Sequence, residues 1–145
     1  MSTPVIFLDF DGVLNCGTDP GTGLNPVMVA RLNRICEATG AHVVVTSAWR
    51  RIYRERCQLA DILVAAGFTG MVAGMTPTDV AGGRMAEIQA WQDAPPPRRY
   101  RGAPFCIIDD EHDFWGWERY LVRTHPIDGL TDGDADKAIQ LLGVR

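Results

Sequence analysis

Asp9-Phe10-Asp11-Gly12 places two carboxylates and a glycine turn directly after the apolar run Val5-Ile6-Phe7-Leu8. Asp109-Asp110-Glu111-His112-Asp113 forms a second acidic set after the apolar run Phe105-Cys106-Ile107-Ile108, and Thr46-Ser47 follow Ala41-His42-Val43-Val44-Val45. Asp9 and Asp11 are two apart, so they share one side if the strand period continues through them. The turn at Gly12 frees backbone N–H groups to face an anion. Clustered carboxylates repel one another, and their pKa values rise unless a cation neutralises them. Oxygen donors without a His/Cys set select a hard divalent ion, Mg²⁺ rather than zinc. Such an ion beside hydroxyls and backbone N–H groups suits phosphate chemistry.

These sets lie far apart in sequence, and only a parallel sheet gathers them. Val5–Leu8, Ala41–Thr46 and Phe105–Ile108 are continuous apolar runs, the pattern of strands covered on both faces. Met71–Ala73 and Tyr120–Val122 read as shorter strands. Helices are expected from Pro26 to near Gly40, from Ile52 to Ala66 with Ile52, Leu59, Ile62, Leu63 and Ala66 on one face, from Arg84 to Trp91, and from Asp134 to Leu142. Asp132 or Asp134 is available to cap the last helix. Asn15–Pro26 and the proline-bearing Asp93–Arg101 read as loops. Alternating strand and helix implies a doubly wound α/β/α sandwich with a mainly parallel, five-stranded, Rossmann-like sheet. The carboxyl ends of its strands open into one crevice, where the acidic and hydroxyl sets converge.

At 145 residues the chain is read as one domain, residues 1–145, able to bury a core without disulfides or structural metal. A net charge of −4 argues against broad charge-driven binding of nucleic acid, although Arg50, Arg51, Arg54 and Arg56 form a local basic cluster. Cys16, Cys36, Cys57 and Cys106 show no metal-ligand spacing and follow no secretory leader, so a cytoplasmic protein is expected. No apolar stretch approaches the roughly 18 to 20 residues of a membrane span. The default expectation is a soluble monomer.

With these residues in place, the chain resembles the haloacid dehalogenase superfamily of phosphotransferases over nearly its whole length. Its first motif, DxDGV, matches Asp9 to Val13; its second, a Thr or Ser after a hydrophobic strand, matches Thr46; its fourth, an acidic pair, matches Asp109 and Asp110. The third, a Lys or Arg near the start of a helix before the last acidic strand, is assigned to Arg84, since the lone lysine, Lys137, lies beyond the fourth. More narrowly, Thr46-Ser47-Ala48-Trp49-Arg50, Gly74-Met75-Thr76-Pro77, Arg84 with Glu87-Ile88 and Trp91, and Ile107-Ile108-Asp109-Asp110-Glu111 resemble the small domains of this superfamily associated with RNA-repair polyproteins.

The resemblance implies a nucleophilic Asp9 that forms an aspartyl-phosphate and an Asp11 that serves as general acid and base. Dehalogenases and ion-pumping ATPases of the superfamily lack Asp at the second position, so phosphoryl transfer is favoured. Asp9, the main-chain carbonyl of Asp11 and Asp109 would hold Mg²⁺, with Asp110 or Asp113 as a further ligand. Thr46, Arg84 and backbone N–H groups near Asp11 and Gly12 would bind phosphoryl oxygens. No cap domain fits in either usual insertion point. The open site that results favours a large phosphorylated substrate, such as a nucleic-acid end.

Several residues carry two readings. Ser47 assists Thr46 or caps the following helix. Arg50 reaches a second phosphate or makes a surface ion pair. Trp49, Trp115 and Trp117 stack on a base or sugar, or pack under loops. His112 shuttles protons or is an exposed loop histidine. Two other functions compete with the hydrolase. A catalytically silent module would keep the fold and only bind phosphate or nucleic-acid ends. A phospho-accepting receiver would need an Asp after the third strand and a Lys near the last, and Met71–Met75 and Arg119–Pro126 supply neither.

Overall fold

Leu8, Val45 and Ile108 stand level across the centre of one parallel sheet, and that register sets everything downstream. The computed structural model describes residues 2–15 and 23–145. Five strands, β1 (Val5–Leu8), β2 (His42–Val45), β3 (Val72–Met75), β4 (Phe105–Asp109) and β5 (Leu121–Arg123), lie in the order β3-β2-β1-β4-β5, all parallel. The chain runs outward from β1 to β3, then crosses back to β4 on the other side of β1. The β1/β4 boundary is therefore the topological switch point, where ligands of such sheets bind.

Side chains alternate along β1 and divide the core in two. Ile6 and Leu8 join the apolar faces of α1 (Pro26–Thr39), α2 (Arg56–Ala65) and α4 (Asp132–Leu142), through Val29, Leu32, Leu59, Leu63 and Ala138. Val5 and Phe7 face the other way, onto Ile88 of α3 (Gly83–Asp93), Tyr100 and Phe114. Three layers result, as the strand and helix alternation implies.

Local signals account for most boundaries. Asn25 caps α1 by accepting from the Val27 N–H, Pro26 opens it, and Gly40 closes it in the left-handed conformation. α4 is capped by Thr131, with Asp134 reaching back to the Thr131 N–H, rather than by Asp132 or Asp134. The second helix starts at Arg56, not Ile52. Ser47 turns the chain into a short 3₁₀ turn, Ala48–Arg51, and this displaces Ile52 to a 75% exposed position. Between β2 and α3 the chain holds only that turn, α2 and β3, so no cap is inserted there. The expected Asn15–Pro26 loop and Cys16 fall largely or wholly outside the described residues. No described helix is long and apolar enough to cross a membrane.

Candidate active site at the carboxyl edge of the sheet

One residue beyond the level set Leu8, Val45 and Ile108 come Asp9, Thr46 and Asp109. The ladder carries these three to the same edge: the Asp9 N–H donates to the Ile108 carbonyl and the Thr46 N–H to the Leu8 carbonyl. All three are buried. Asp9, Asp109 and the partly buried Asp110 each offer a carboxylate oxygen within 4.8 Å of the others. Arg84, in the first turn of α3, closes the group: its Nη1 lies 2.9 Å from Asp9 Oδ1 and 2.9 Å from Asp109 Oδ2. The Phe10 N–H also donates to Asp9 Oδ1, so both contacts fall on one oxygen and leave Oδ2 without them.

Burial pushes the Asp9 carboxyl up to about 6 against the opposing pull of Arg84. Asp109 is pushed up to about 7 by burial and by the neighbouring Asp9 charge. Burial disfavours the Arg84 charge, but Asp109 and Asp9 together outweigh it and hold the guanidinium above its ordinary value. Three carboxylates against one guanidinium leave two negative charges when all are ionised. An oxygen-rich site with that residual charge fits a hard divalent cation.

Thr46 Oγ1 is buried with no hydrogen-bond partner among the described residues. An unmet buried hydroxyl costs about 1–3 kcal/mol, and such groups in native folds are met by a bound ligand, ion or water. At this position a phosphoryl oxygen would satisfy it.

Asp11 does not follow Asp9 inward. β1 ends at Leu8, Phe10 turns into the core, and the Val13 and Leu14 N–H groups return to the Phe10 carbonyl, which leaves Asp11 exposed at the lip. Among the described residues, two side chains hold its carboxylate: Asn15 Nδ2 at 2.9 Å from Oδ1 and Trp49 Nε1 at 3.1 Å from Oδ2. Neither is evident as a partner in the sequence. Asn15 sits four residues on, a spacing at which polar side chains bond locally, whereas Trp49 is joined to Asp11 only by the tertiary fold.

Gly12 serves the site differently from the expected anion-binding role. Its N–H already donates to Asn15 Oδ1 at 3.0 Å, and its carbonyl accepts from Thr124 Oγ1 at 2.7 Å. Its φ of +79° lies in the left-handed region, and a Cβ there would come within 2.5 Å of Asp110 Oδ2. Glycine thus lets the turn close against Asp110. Ser47 Oγ accepts from the Trp49 N–H, the helix-capping alternative.

Asp113 is not brought into the acidic group. It is exposed, 3.7 Å from the equally exposed His112, so of the two alternatives for an additional ligand the cluster contains Asp110. Trp115 is exposed and Trp117 packs on Phe105.

Arg50 requires a correction. It is neither a surface residue nor open to a phosphate, because its guanidinium is buried and fully engaged: Nε donates to the Ser47 carbonyl, Nη1 to Thr76 and Pro77, and Nη2 to both Glu87 oxygens at 3.3 Å. This pair ties the turn after β2 to the end of β3 and to α3, one helical turn from Arg84. Removing one partner of a buried pair costs about 3–5 kcal/mol. Arg50→Ala is expected to lose stability of that order in urea unfolding; a loss below about 1 kcal/mol would show that the tie is not structural.

A family model described as "HAD domain in Swiss Army Knife RNA repair proteins" matches residues 5–135. No curated protein and no solved structure matches the chain.

Proposed function

The chain belongs to that haloacid dehalogenase family, and from this premise we propose that it is a Mg²⁺-dependent phosphomonoester hydrolase working through an aspartyl-phosphate on Asp9. The observation that carries the reading is the level placement of Asp9, Thr46 and Asp109, with Arg84 bridging the two carboxylates.

Asp9, Asp109 and Asp110, with the Asp11 carbonyl, would hold the Mg²⁺, which when bound supplies charge stabilisation of the phosphoryl group. Asp9 Oδ2 attacks phosphorus in line, and the bond from phosphorus to the leaving oxygen breaks. Thr46 Oγ1 and the Arg84 guanidinium hold the equatorial oxygens. Exposed Asp11, oriented by Asn15 and Trp49, gives its proton to the leaving oxygen. It then takes one from the water that cleaves the aspartyl-phosphate. Two carboxylates thus serve two roles set by environment: Asp9 buried as nucleophile, Asp11 at the lip as proton carrier.

The substrate we propose is a nucleic-acid end. Nothing inserted between β2 and α3 covers the site, exposed Arg51 and Arg54 lie on the adjacent turn, and the matched family's description concerns RNA repair. A large substrate brings its own cover and its own remote contacts. The test is kcat/KM with Mg²⁺ for a phosphorylated oligonucleotide end against the matching mononucleotide. A preference for the oligonucleotide is expected. Equal values would remove the macromolecular substrate, and no turnover of any phosphomonoester would leave a silent binding module.

Metal and pH are linked. The metal-free pair Asp9 and Asp109, raised from the ordinary 3.8 to about 6 and about 7, contributes stability that is complete below about pH 3.8 and lost as pH rises through 6 to 7. Mg²⁺ binds the ionised forms and so acts in the opposite direction. Thermal melts should show little Mg²⁺ stabilisation at pH 5 and the full effect at pH 8; an equal shift at both would contradict carboxylate ligation by this pair.

A further inference from the structure

Trp49 does more than border the acidic cluster. Its indole N–H holds Asp11 Oδ2 at 3.1 Å, its ring packs edge-on against Phe10 with centroids 5.3 Å apart, and Tyr53 lies 6.3 Å away at a 40° tilt. Trp49, Tyr53, Ile52, Ile62 and Gly23 line an open, mainly apolar depression of about 400 Å³, which shares with Asp11 the Trp49 side chain. Ile52 is 75% exposed and Tyr53 38%, so this apolar surface is not used by the core.

Position gives the depression its meaning. A general acid at Asp11 protonates the leaving oxygen, so whatever that oxygen carries must lie on the Asp11 side of the cluster, where Trp49 forms the wall. We propose that Trp49, Ile52 and Tyr53 form a leaving-group subsite that stacks the terminal base of a phosphorylated nucleic-acid strand. This rests on the phosphatase reading and deepens it. Aromatic side chains make sequence-tolerant platforms because every base has a π-face. Exposed Arg51 and Arg54 flank Tyr53 in sequence, and aromatic surface with basic residues suits a strand whose next phosphate follows the base. A phosphotyrosyl peptide would fill the aromatic wall but supplies no second phosphate for those arginines.

The substitutions that test this, Tyr53→Ala and Ile52→Ser, fall on exposed side chains outside the core. Two readouts are needed. The first is the ratio of kcat/KM for a terminally phosphorylated trinucleotide to that for glycerol phosphate, each with Mg²⁺. The second is equilibrium binding of the same trinucleotide to Asp9→Asn protein with and without Tyr53→Ala. The ratio should fall about tenfold or more, and the trinucleotide dissociation constant should rise by a similar factor. An unchanged ratio with unchanged binding would overturn the subsite while leaving the phosphatase reading standing. If neither substrate is hydrolysed, the phosphatase reading falls and the binding comparison alone decides the subsite. Tyr53-dependent binding of a phosphotyrosyl peptide, with none for the trinucleotide, would also overturn it.

Discussion

Asp9→Asn should abolish turnover while leaving the fold intact. The change is nearly isosteric, and the amide oxygen can still accept from Phe10 and Arg84, which both meet Oδ1. What is lost is the anionic oxygen of the proposed attack on phosphorus, and no other buried carboxylate at the edge can replace it: Asp109 is tied through Oδ1 to the Glu111 N–H and through Oδ2 to Arg84. Metal binding should weaken but survive through Asp109 and Asp110. The measurement is steady-state hydrolysis of a phosphomonoester, with circular dichroism to show that the variant is folded. Near-normal turnover by folded Asp9→Asn protein would remove Asp9 as nucleophile.

Arg84→Ala should cut turnover about 100- to 1,000-fold, the usual consequence of removing one preorganised donor at a site of developing charge. A second effect runs in the same direction. Arg84 is the cation that opposes the upward push on both Asp9 and Asp109, so its loss raises both carboxyls further and weakens metal binding near neutrality. The activity loss should therefore be smaller at pH 8 than at pH 6. Arg50 cannot substitute, because Glu87, Thr76 and Ser47 already occupy its guanidinium. A rate within about threefold of wild type would mean that the phosphoryl group does not rest on Arg84.

The fold was legible because its strands are short apolar runs and its switch point falls between the two acidic ones. Asp9, Thr46 and Asp109 could be paired from sequence alone, since a parallel ladder must bring matching strand ends to one edge. Arg84 came only from the family resemblance, whose third motif calls for a Lys or Arg at a helix start, and the fold sets it against Asp9 and Asp109. Arg50 was not. An arginine in an Arg-rich stretch looks solvated, and nothing local reveals Thr76 or Glu87, 26 and 37 residues away. Asp11's separation from Asp9 was equally hidden, because strand period breaks where Phe10 turns into the core. The sequence context of Gly12 advertises a free N–H, while the fold engages that N–H with Asn15 and uses the missing Cβ to admit Asp110. The second helix slipped by a turn because Ile52 fits an inward-facing pattern that the Ser47-capped turn overrides.

The most direct test of the account is to capture the covalent intermediate. Wild-type and Asp11→Asn proteins would be mixed with Mg²⁺ and a substrate radiolabelled in its phosphoryl group, quenched in acid within a single turnover, and digested for mass spectrometry. Label is expected on the peptide bearing Asp9, with more of it and slower decay in Asp11→Asn, where the proposed proton carrier for hydrolysis is gone. Hydrolysis at full rate with no protein-bound label in either form would contradict it.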